Sequence, residues 1–144
     1  MRAASLTIRR AALDVIRRHA ADDLPNECCG LLLGCAGSVE RALRARNLRP
    51  SPNRYLVDPA DHCAALRTAR ASGLEVVGVY HSHPAGSLRP SAVDRQEASY
   101  REFVYLIVSP QPAADGAVNL AAYRLNADGF EEIPVAVASQ DSAL

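Results

Sequence analysis

Two histidines, an aspartate, a glutamate and a serine carry the chemistry that this sequence offers. His81 and His83 stand two residues apart at the end of the apolar, β-branched run Glu75–Tyr80. In an extended chain, residues i and i+2 point to the same face, so both imidazoles can turn toward one ion. Asp94 follows the segment Pro84–Val93, a loop plus a helical turn with ample reach to bring its carboxylate back to the strand end. Zinc accepts neutral imidazole nitrogen and carboxylate oxygen in a tetrahedral shell. Three protein ligands leave the fourth position for water, the mark of a catalytic rather than a structural site, and zinc brings that water's pKa to about 7. Such chemistry needs a proton shuttle, and Glu27, just ahead of the apolar run Gly30–Gly34, is the candidate. Ser91 is a candidate hydroxyl donor to a developing oxyanion.

Each of these residues also has a plainer role. A His-x-His pair serves as a polar strand end in many proteins. Ser91-Ala92-Val93-Asp94 after Pro90 is a helix-start signature, with Ser91 as the cap and Asp94 near the positive end of the dipole. Both readings of Ser91 and Asp94 can hold at once. Glu27 can be a solvated loop acid, as can Asp22 and Asp23. His19, late in the first helix, suits the dipole as a cation. His62 sits beside Cys63. Neither has metal-ligand spacing, and both are read as structural or exposed. The sequence has no H-E-x-x-H helix, no zinc-deaminase pair of H-x-E and P-C-x-x-C, and no G-x-S-x-G elbow.

The chain that must position these groups has 144 residues, the size of one domain. It reads as a single unit over 1–144, with a core from about 6 to 137 and a fraying tail at 138–144. Formal net charge is zero and both signs are mixed along the chain, which gives no footprint for nucleic acid. Every basic residue is Arg, so Schiff-base and P-loop lysine mechanisms are excluded. Cys28, Cys29, Cys35 and Cys63 form no C-x-x-C pair, and the first three read as buried free thiols in or beside an apolar run. No signal peptide is read, and the longest apolar run is too short to cross a bilayer, so a cytoplasmic setting fits.

The pattern predicts a short edge strand at Leu6–Ile8 and a helix over Arg9–Ala21. A buried strand at Gly30–Gly34 and its hairpin partner at Val39–Leu48 follow. Asp58-Pro59 starts a helix that runs to about Ala71 and stops at Gly73. Glu75–Tyr80 and Val104–Val108 are buried strands, with a helix over Ser91–Tyr100 between them. Asn119–Leu125 and Phe130–Val137 are two more strands around an Asp128-Gly129 turn. The sum is a mixed sheet with helices packed on it.

Glu27, His81-Ser82-His83-Pro84 and Ser91-Ala92-Val93-Asp94 together resemble the JAMM (MPN+) metalloprotease pattern, E…H-[S/T]-H-x7-S-x-x-D, with every position filled. Glu-Cys-Cys-Gly-Leu-Leu-Leu-Gly, from Glu27 to Gly34, resembles the opening strand of bacterial members. The resemblance runs from about Leu6 to Val137. It implies a three-layer α/β/α domain with a mixed sheet, like that of cytidine deaminases. It implies one zinc ion per chain on His81, His83 and Asp94, with Glu27 as general acid and base. Ser91 then stabilises the tetrahedral intermediate, and Ser82 supports the site. Members of the family cleave peptide or isopeptide bonds after the Gly-Gly tail of ubiquitin or ubiquitin-like proteins. Small bacterial members act on ubiquitin-like sulfur carriers, releasing an amino acid such as cysteine or a fused extension. The chain has little room for the long insertions of the eukaryotic enzymes, which favours a carrier tail over ubiquitin. Such a tail is expected to approach the zinc by strand addition at a sheet edge. Two other readings stay open: a metal-free MPN scaffold, and a zinc amidohydrolase of small or cell-wall peptides. No nucleic-acid or membrane partner is implied.

Overall fold

The computed structural model describes residues 5–98, 100 and 102–138. Its elements are β1 (Leu6–Ile8), α1 (Arg10–Asp22), β2 (Cys29–Cys35), β3 (Ser38–Ala45), α2 (Pro59–Ala71) and β4 (Glu75–Ser82). They continue with α3 (Ala92–Glu97), β5 (Val104–Ser109), β6 (Asn119–Asn126), β7 (Gly129–Ile133) and β8 (Val135–Val137). All eight strands join one mixed sheet in the order β7-β6-β5-β4-β2-β3-β1-β8.

The central strands are the ones whose sequence lacks polar interruption. Leu31–Leu33 of β2, Val79–Tyr80 of β4 and Val104–Val108 of β5 are all buried, because helices cover both faces of the sheet. Strand alternation divides these residues between two cores. Leu32, Tyr80, Leu106 and Val108 pack with Leu13 and Ile16 of α1 on one face. Leu31, Leu33, Val79, Tyr105 and Ile107 pack with Ala65 and Ala69 of α2 on the other. Ala98, which ends α3, joins the second core. The layers are therefore α/β/α, as expected.

Local chemistry starts and stops the helices where the sequence indicates. Asp58 caps α2 by accepting the Ala60 N–H at 2.9 Å, with Pro59 in the first turn. Gly73 follows α2 with φ 72°, a conformation that favours glycine. Ala36-Gly37 closes the β2–β3 hairpin, again with positive φ at the glycine.

Four expectations need correction. Leu6–Ile8 is not an edge strand, because β8 pairs parallel with its outer side. Phe130–Val137 is two strands. Pro134 lacks an N–H and breaks the ladder, and β8 leaves β6 and crosses to the opposite end of the sheet. The helix expected over Ser91–Tyr100 is only α3. Ala98 is already extended, and the Tyr100 N–H donates to the Tyr105 hydroxyl at 3.0 Å, while Ser99 lies outside the described residues. The tail does not fray at Ala138, whose N–H donates to Ile8 O at 2.9 Å; residues 139–144 lie outside the described residues.

Neighbouring backbones approach closely where β4 meets β5. A Cβ built on Gly78 would stand 2.2 Å from Val104 O, which is backbone and cannot rotate away. Gly78→Ala should therefore cost about 1–3 kcal/mol of stability, the usual penalty of overpacking, read from the midpoint of chemical denaturation.

Candidate metal centre

β4 carries both histidines to the centre of the sheet. His81 lies in register with Cys29 of β2 and Ile107 of β5. His83 follows the strand, and its N–H donates to Val108 O at 2.9 Å. The rings converge as the two-residue spacing requires: the two Nε2 atoms are 3.1 Å apart. Asp94 comes from the first turn of α3, and its Oδ2 lies 3.3 Å from His81 Nε2 and 3.0 Å from His83 Nε2. Ser91 sets that position through a capping box. Its N–H donates to Asp94 Oδ2 at 2.8 Å, and its Oγ accepts the Asp94 N–H at 3.0 Å. Capping and site-building are thus performed by the same residues.

These three atoms form a nearly equilateral triangle. Ligands of a tetrahedral zinc at about 2.0–2.1 Å are about 3.3 Å apart, so the triangle fits a small divalent ion. His81, His83 and Asp94 are all buried and form a possible metal-binding group among the described residues. The tautomer of His83 also fits. Its Nδ1 lies 2.8 Å from Ser87 O. A carbonyl only accepts, so Nδ1 carries a hydrogen, and Nε2, once it gives up the proton it shares with Asp94, is the nitrogen that faces a metal.

The electrostatics match this geometry. Burial alone would raise the Asp94 carboxyl, but hydrogen bonds from His81 and His83 outweigh it and hold Asp94 well below the usual carboxylate range. Burial pushes His81 down, which favours the neutral imidazole that a metal needs. Burial also opposes a charge on His83, yet the hydrogen bond and charge of Asp94 win and raise it above 6.5.

Glu27 enters this group from the adjacent strand. Ser82 ties the two chains together: its Oγ accepts the Cys28 N–H at 2.8 Å, and its own N–H donates to Cys28 O at 3.1 Å. Glu27 is 3% exposed, and its Oε1 is buried with no hydrogen-bond partner among the described residues. Burial pushes its carboxyl up to about 8, with His83 pulling down and Asp94 pushing up. An orphaned carboxylate oxygen in a buried site needs an explanation, and a solvent molecule or proton held there supplies one.

The structure adds residues that spacing alone does not reveal. Asn47 is a hub between the loop after β3 and Glu27. Its Nδ2 donates to Glu27 O at 3.1 Å and to Arg54 O at 3.2 Å. Its Oδ1 accepts the N–H groups of Arg49 and Leu56, both at 2.9 Å. The amide is thus fully used. The same loop presents Tyr55, whose ring stacks on His81 with centroids 4.5 Å apart. The Tyr123 hydroxyl anchors the loop after His83 by donating to Leu88 O at 2.7 Å. An Asn and a Tyr near prolines read as ordinary loop residues, so no local signal marks them.

The remaining histidines and cysteines differ in part from expectation. His19 is no cation at a helix end. Burial lowers its pKa, and its ring sits between Tyr80 Oη at 2.8 Å and Asp23 Oδ2 at 3.3 Å. His62 is half-buried and meets the rings of Tyr100 and Phe103 edge-on or tilted. Cys28 and Cys29 are buried, and burial pushes the Cys28 thiol up to about 12, so it is inert. Cys35 is exposed rather than buried, because it pairs with Ser38 where the hairpin leaves the core.

One cavity opens on the donors and a second on Glu27. An apolar groove of about 510 Å³ reaches Asp94 and is lined by Leu31, Tyr55, Val57, Val79 and Tyr105. A polar cavity of about 740 Å³ reaches Glu27. The free edges of the sheet, β7 and β8, lie at its ends, three and four strands from β4. At about 4.8 Å per strand that is at least about 14 Å. Strand addition beside β4, the strand that carries the histidines, is therefore closed, since β2 and β5 occupy both of its sides.

Comparison with known proteins places the chain among relatives. The family described as prokaryotic homologs of the JAB domain (Prok-JAB) matches residues 9–125. A desampylase from Haloferax volcanii is 39% identical over 132 residues, which is 90% of this chain and 91% of the relative. A CysO-cysteine peptidase from Mycobacterium tuberculosis is 31% identical over 137 residues, 94% of this chain and 92% of the relative. A protein of Desulfitobacterium hafniense, solved in solution, has a TM-score of 0.84 and 31% identity, over 96% of this chain and 95% of that one.

Two outcomes follow from this geometry. A divalent ion binding here would compete with the proton that Asp94 favours on His83. Affinity should rise about tenfold per pH unit below the raised pKa of His83 and level off above it, as titration calorimetry at several pH values would show. Asn47→Ala should cost about 1 kcal/mol by removing its hydrogen bonds to the part-buried carbonyls of Glu27 and Arg54, read by denaturant unfolding.

Proposed function

The chain belongs to the family of prokaryotic homologs of the JAB domain, and we propose that it is a zinc-dependent peptidase or isopeptidase. Its bond is the one after the C-terminal Gly-Gly tail of a ubiquitin-like sulfur carrier. The observation that carries this reading is the triangle of His81 Nε2, His83 Nε2 and Asp94 Oδ2 beside a buried carboxylate with an unpartnered oxygen. Two relatives that align over nearly their whole length support it, one a desampylase and one a CysO-cysteine peptidase. A metal-free scaffold would have no use for three converging donors.

His81, His83 and Asp94 would hold the zinc, which when bound supplies Lewis acidity to a water molecule and to the scissile carbonyl. The protein's own groups do the rest. Glu27 lies close enough to feel the charges of His83 and Asp94, yet its carboxyl stands outside the three-ligand group. Its elevated pKa suits a proton carrier, and the charge of a bound dication lowers it toward the working pH. Glu27 accepts a proton from the attacking water. It delivers that proton to the leaving nitrogen as the C–N bond breaks, and the carrier tail ends as a carboxylate. Ser91 Oγ already accepts the Asp94 N–H, so its hydroxyl hydrogen is available to the carbonyl oxygen as charge builds there. The stacked ring of Tyr55 keeps His81 oriented and shields it from solvent. Free cysteines suit a reducing cytoplasm, and among the described residues no helix is long and apolar enough to cross a membrane.

Glu27→Gln tests the mechanism. The amide keeps the shape but cannot accept the proton. Turnover of a Gly-Gly-linked carrier conjugate should fall about 10²–10⁴-fold, the usual share of general acid–base catalysis, while zinc content stays near one per chain by elemental analysis. Undiminished turnover in this variant would rule out the assigned proton route. A chelator should abolish cleavage and added zinc should restore it.

A further inference from the structure

The end of the sheet farthest from the metal centre holds a cavity whose charged groups the hydrolysis does not use. It measures about 640 Å³ and is lined by none of Glu27, His81, His83 and Asp94. It lies where β4 begins at Glu75, and His81 is about 20 Å farther along that strand, at about 3.3 Å per residue. Val77, Phe103 and Val104 form an apolar wall, while Arg124, Glu75 and Glu102 bring charge to it.

Arg124 is the unusual group. It stands opposite Val104 in the β5–β6 ladder, and directly opposed residues share a face of the sheet. Val104 packs in the core under α1, so the arginine is drawn inward with it and is only 9% exposed. A guanidinium taken out of water is costly unless its donors are met. Its neighbour across the β6–β7 ladder is Glu131, where a pair of opposite charges is expected. Glu131 Oε1 instead accepts from Asn126 Nδ2 at 3.2 Å. Arg124 Nε is buried without a partner, and among the described residues the guanidinium forms no ion pair or hydrogen bond. Glu75 and Glu102 are exposed on the same cavity and are likewise unpaired among the described residues. One cation and two anions thus share a cavity without meeting one another.

We propose that this cavity is a second binding site, for a small zwitterion with an apolar flank, of the free α-amino acid class. The ligand's carboxylate meets the Arg124 guanidinium through charge-assisted hydrogen bonds. Its ammonium faces Glu75 and Glu102, and its side chain lies against Val77 and Phe103. A simple anion would satisfy Arg124 but stand beside two carboxylates, and a simple cation would leave the buried guanidinium unmet. A molecule that carries both charges suits both signs in the cavity. Binding here needs no metal and no chemistry at Glu27.

Titration calorimetry of the zinc-loaded protein with L-valine tests this, beside two analogues that carry one charge each. L-Valinamide lacks the carboxylate, and isovalerate lacks the ammonium. A charge-assisted hydrogen bond contributes about tenfold to a hundredfold in affinity, so each analogue should bind more weakly than L-valine by that factor. Arg124→Gln should weaken L-valine by the same factor, and Arg124→Lys should keep part of the affinity, since the charge remains and the fork does not. Glu75→Gln combined with Glu102→Gln should weaken L-valine and leave isovalerate no weaker. Both glutamates are exposed, so this second variant carries the test if circular dichroism shows Arg124→Gln to be unfolded. An α-amino acid also chelates zinc, so the titrations are repeated on chelator-treated protein. Binding of L-valine that persists without the metal and is lost in the variants supports the assignment. Heat that survives the substitutions and vanishes with the metal belongs to the metal centre and overturns it. Isovalerate binding as tightly as L-valine, or no binding of L-valine, overturns it too, and each of these leaves the hydrolase reading standing.

Discussion

Two imidazole nitrogens and a carboxylate oxygen stand within 3.3 Å of one another in a buried site, and the rest of the architecture can be understood as what holds them there. Polar groups taken out of water at that density are costly unless each has a partner. Here they partner one another, and a divalent ion at the centre would satisfy all three at once. The histidines hold the carboxylate in its charged form, and the carboxylate in turn raises the pKa of His83 and so favours a proton shared between them. A divalent ion bound among these donors would take the place of that shared proton.

Holding such a triangle requires a rigid base, and the sheet provides it. β4 lies between β2 and β5, so the strand that carries His81 is hydrogen-bonded along both sides. Gly78 lets the β5 backbone come close below the histidines. Asp94 comes from a different element, but its position is set by the capping box of α3 and not by a flexible loop. Glu27 reaches the site because β2 is the antiparallel neighbour of β4, and Ser82, between the two histidines, joins the strands by paired hydrogen bonds. The Glu27 carboxyl and the three donors are therefore held on one rigid base, as proton transfer beside a bound ion would require.

The surroundings give the site its sidedness. Aromatic and aliphatic groups line the approach at Asp94, and charged groups line the approach at Glu27. A single loop, anchored by Asn47, contributes to both: Tyr55 to the apolar side, and the support of Glu27 to the polar side. The interior position of β4 also means that its two sides are taken by β2 and β5, so the donors at its end are reached from the strand ends and loops.

Much of this was determined by sequence alone. Pattern period identified most strands and the first two helices, because apolar residues at intervals of two or near 3.6 can face a core only as strand or helix. Asp58-Pro59 and Gly73 bounded α2 because capping and positive φ are local matters. The spacing of His81, His83, Ser91 and Asp94 announced a metal group because a strand end and a capped helical turn fix directions over a few residues. What tertiary structure decided was long-range. That Pro134 sends β8 across to β1, which is thereby no edge, depends on pairing partners distant in the chain. That Glu27 is a buried, perturbed carboxyl and not a solvated loop acid depends on β2 lying beside β4. His19 became a neutral buried group, and Asn47 and Tyr55 became parts of the site, through contacts with residues far away in sequence. Burial and partnership are properties of neighbours, and a single chain read in order does not show which neighbours folding will bring.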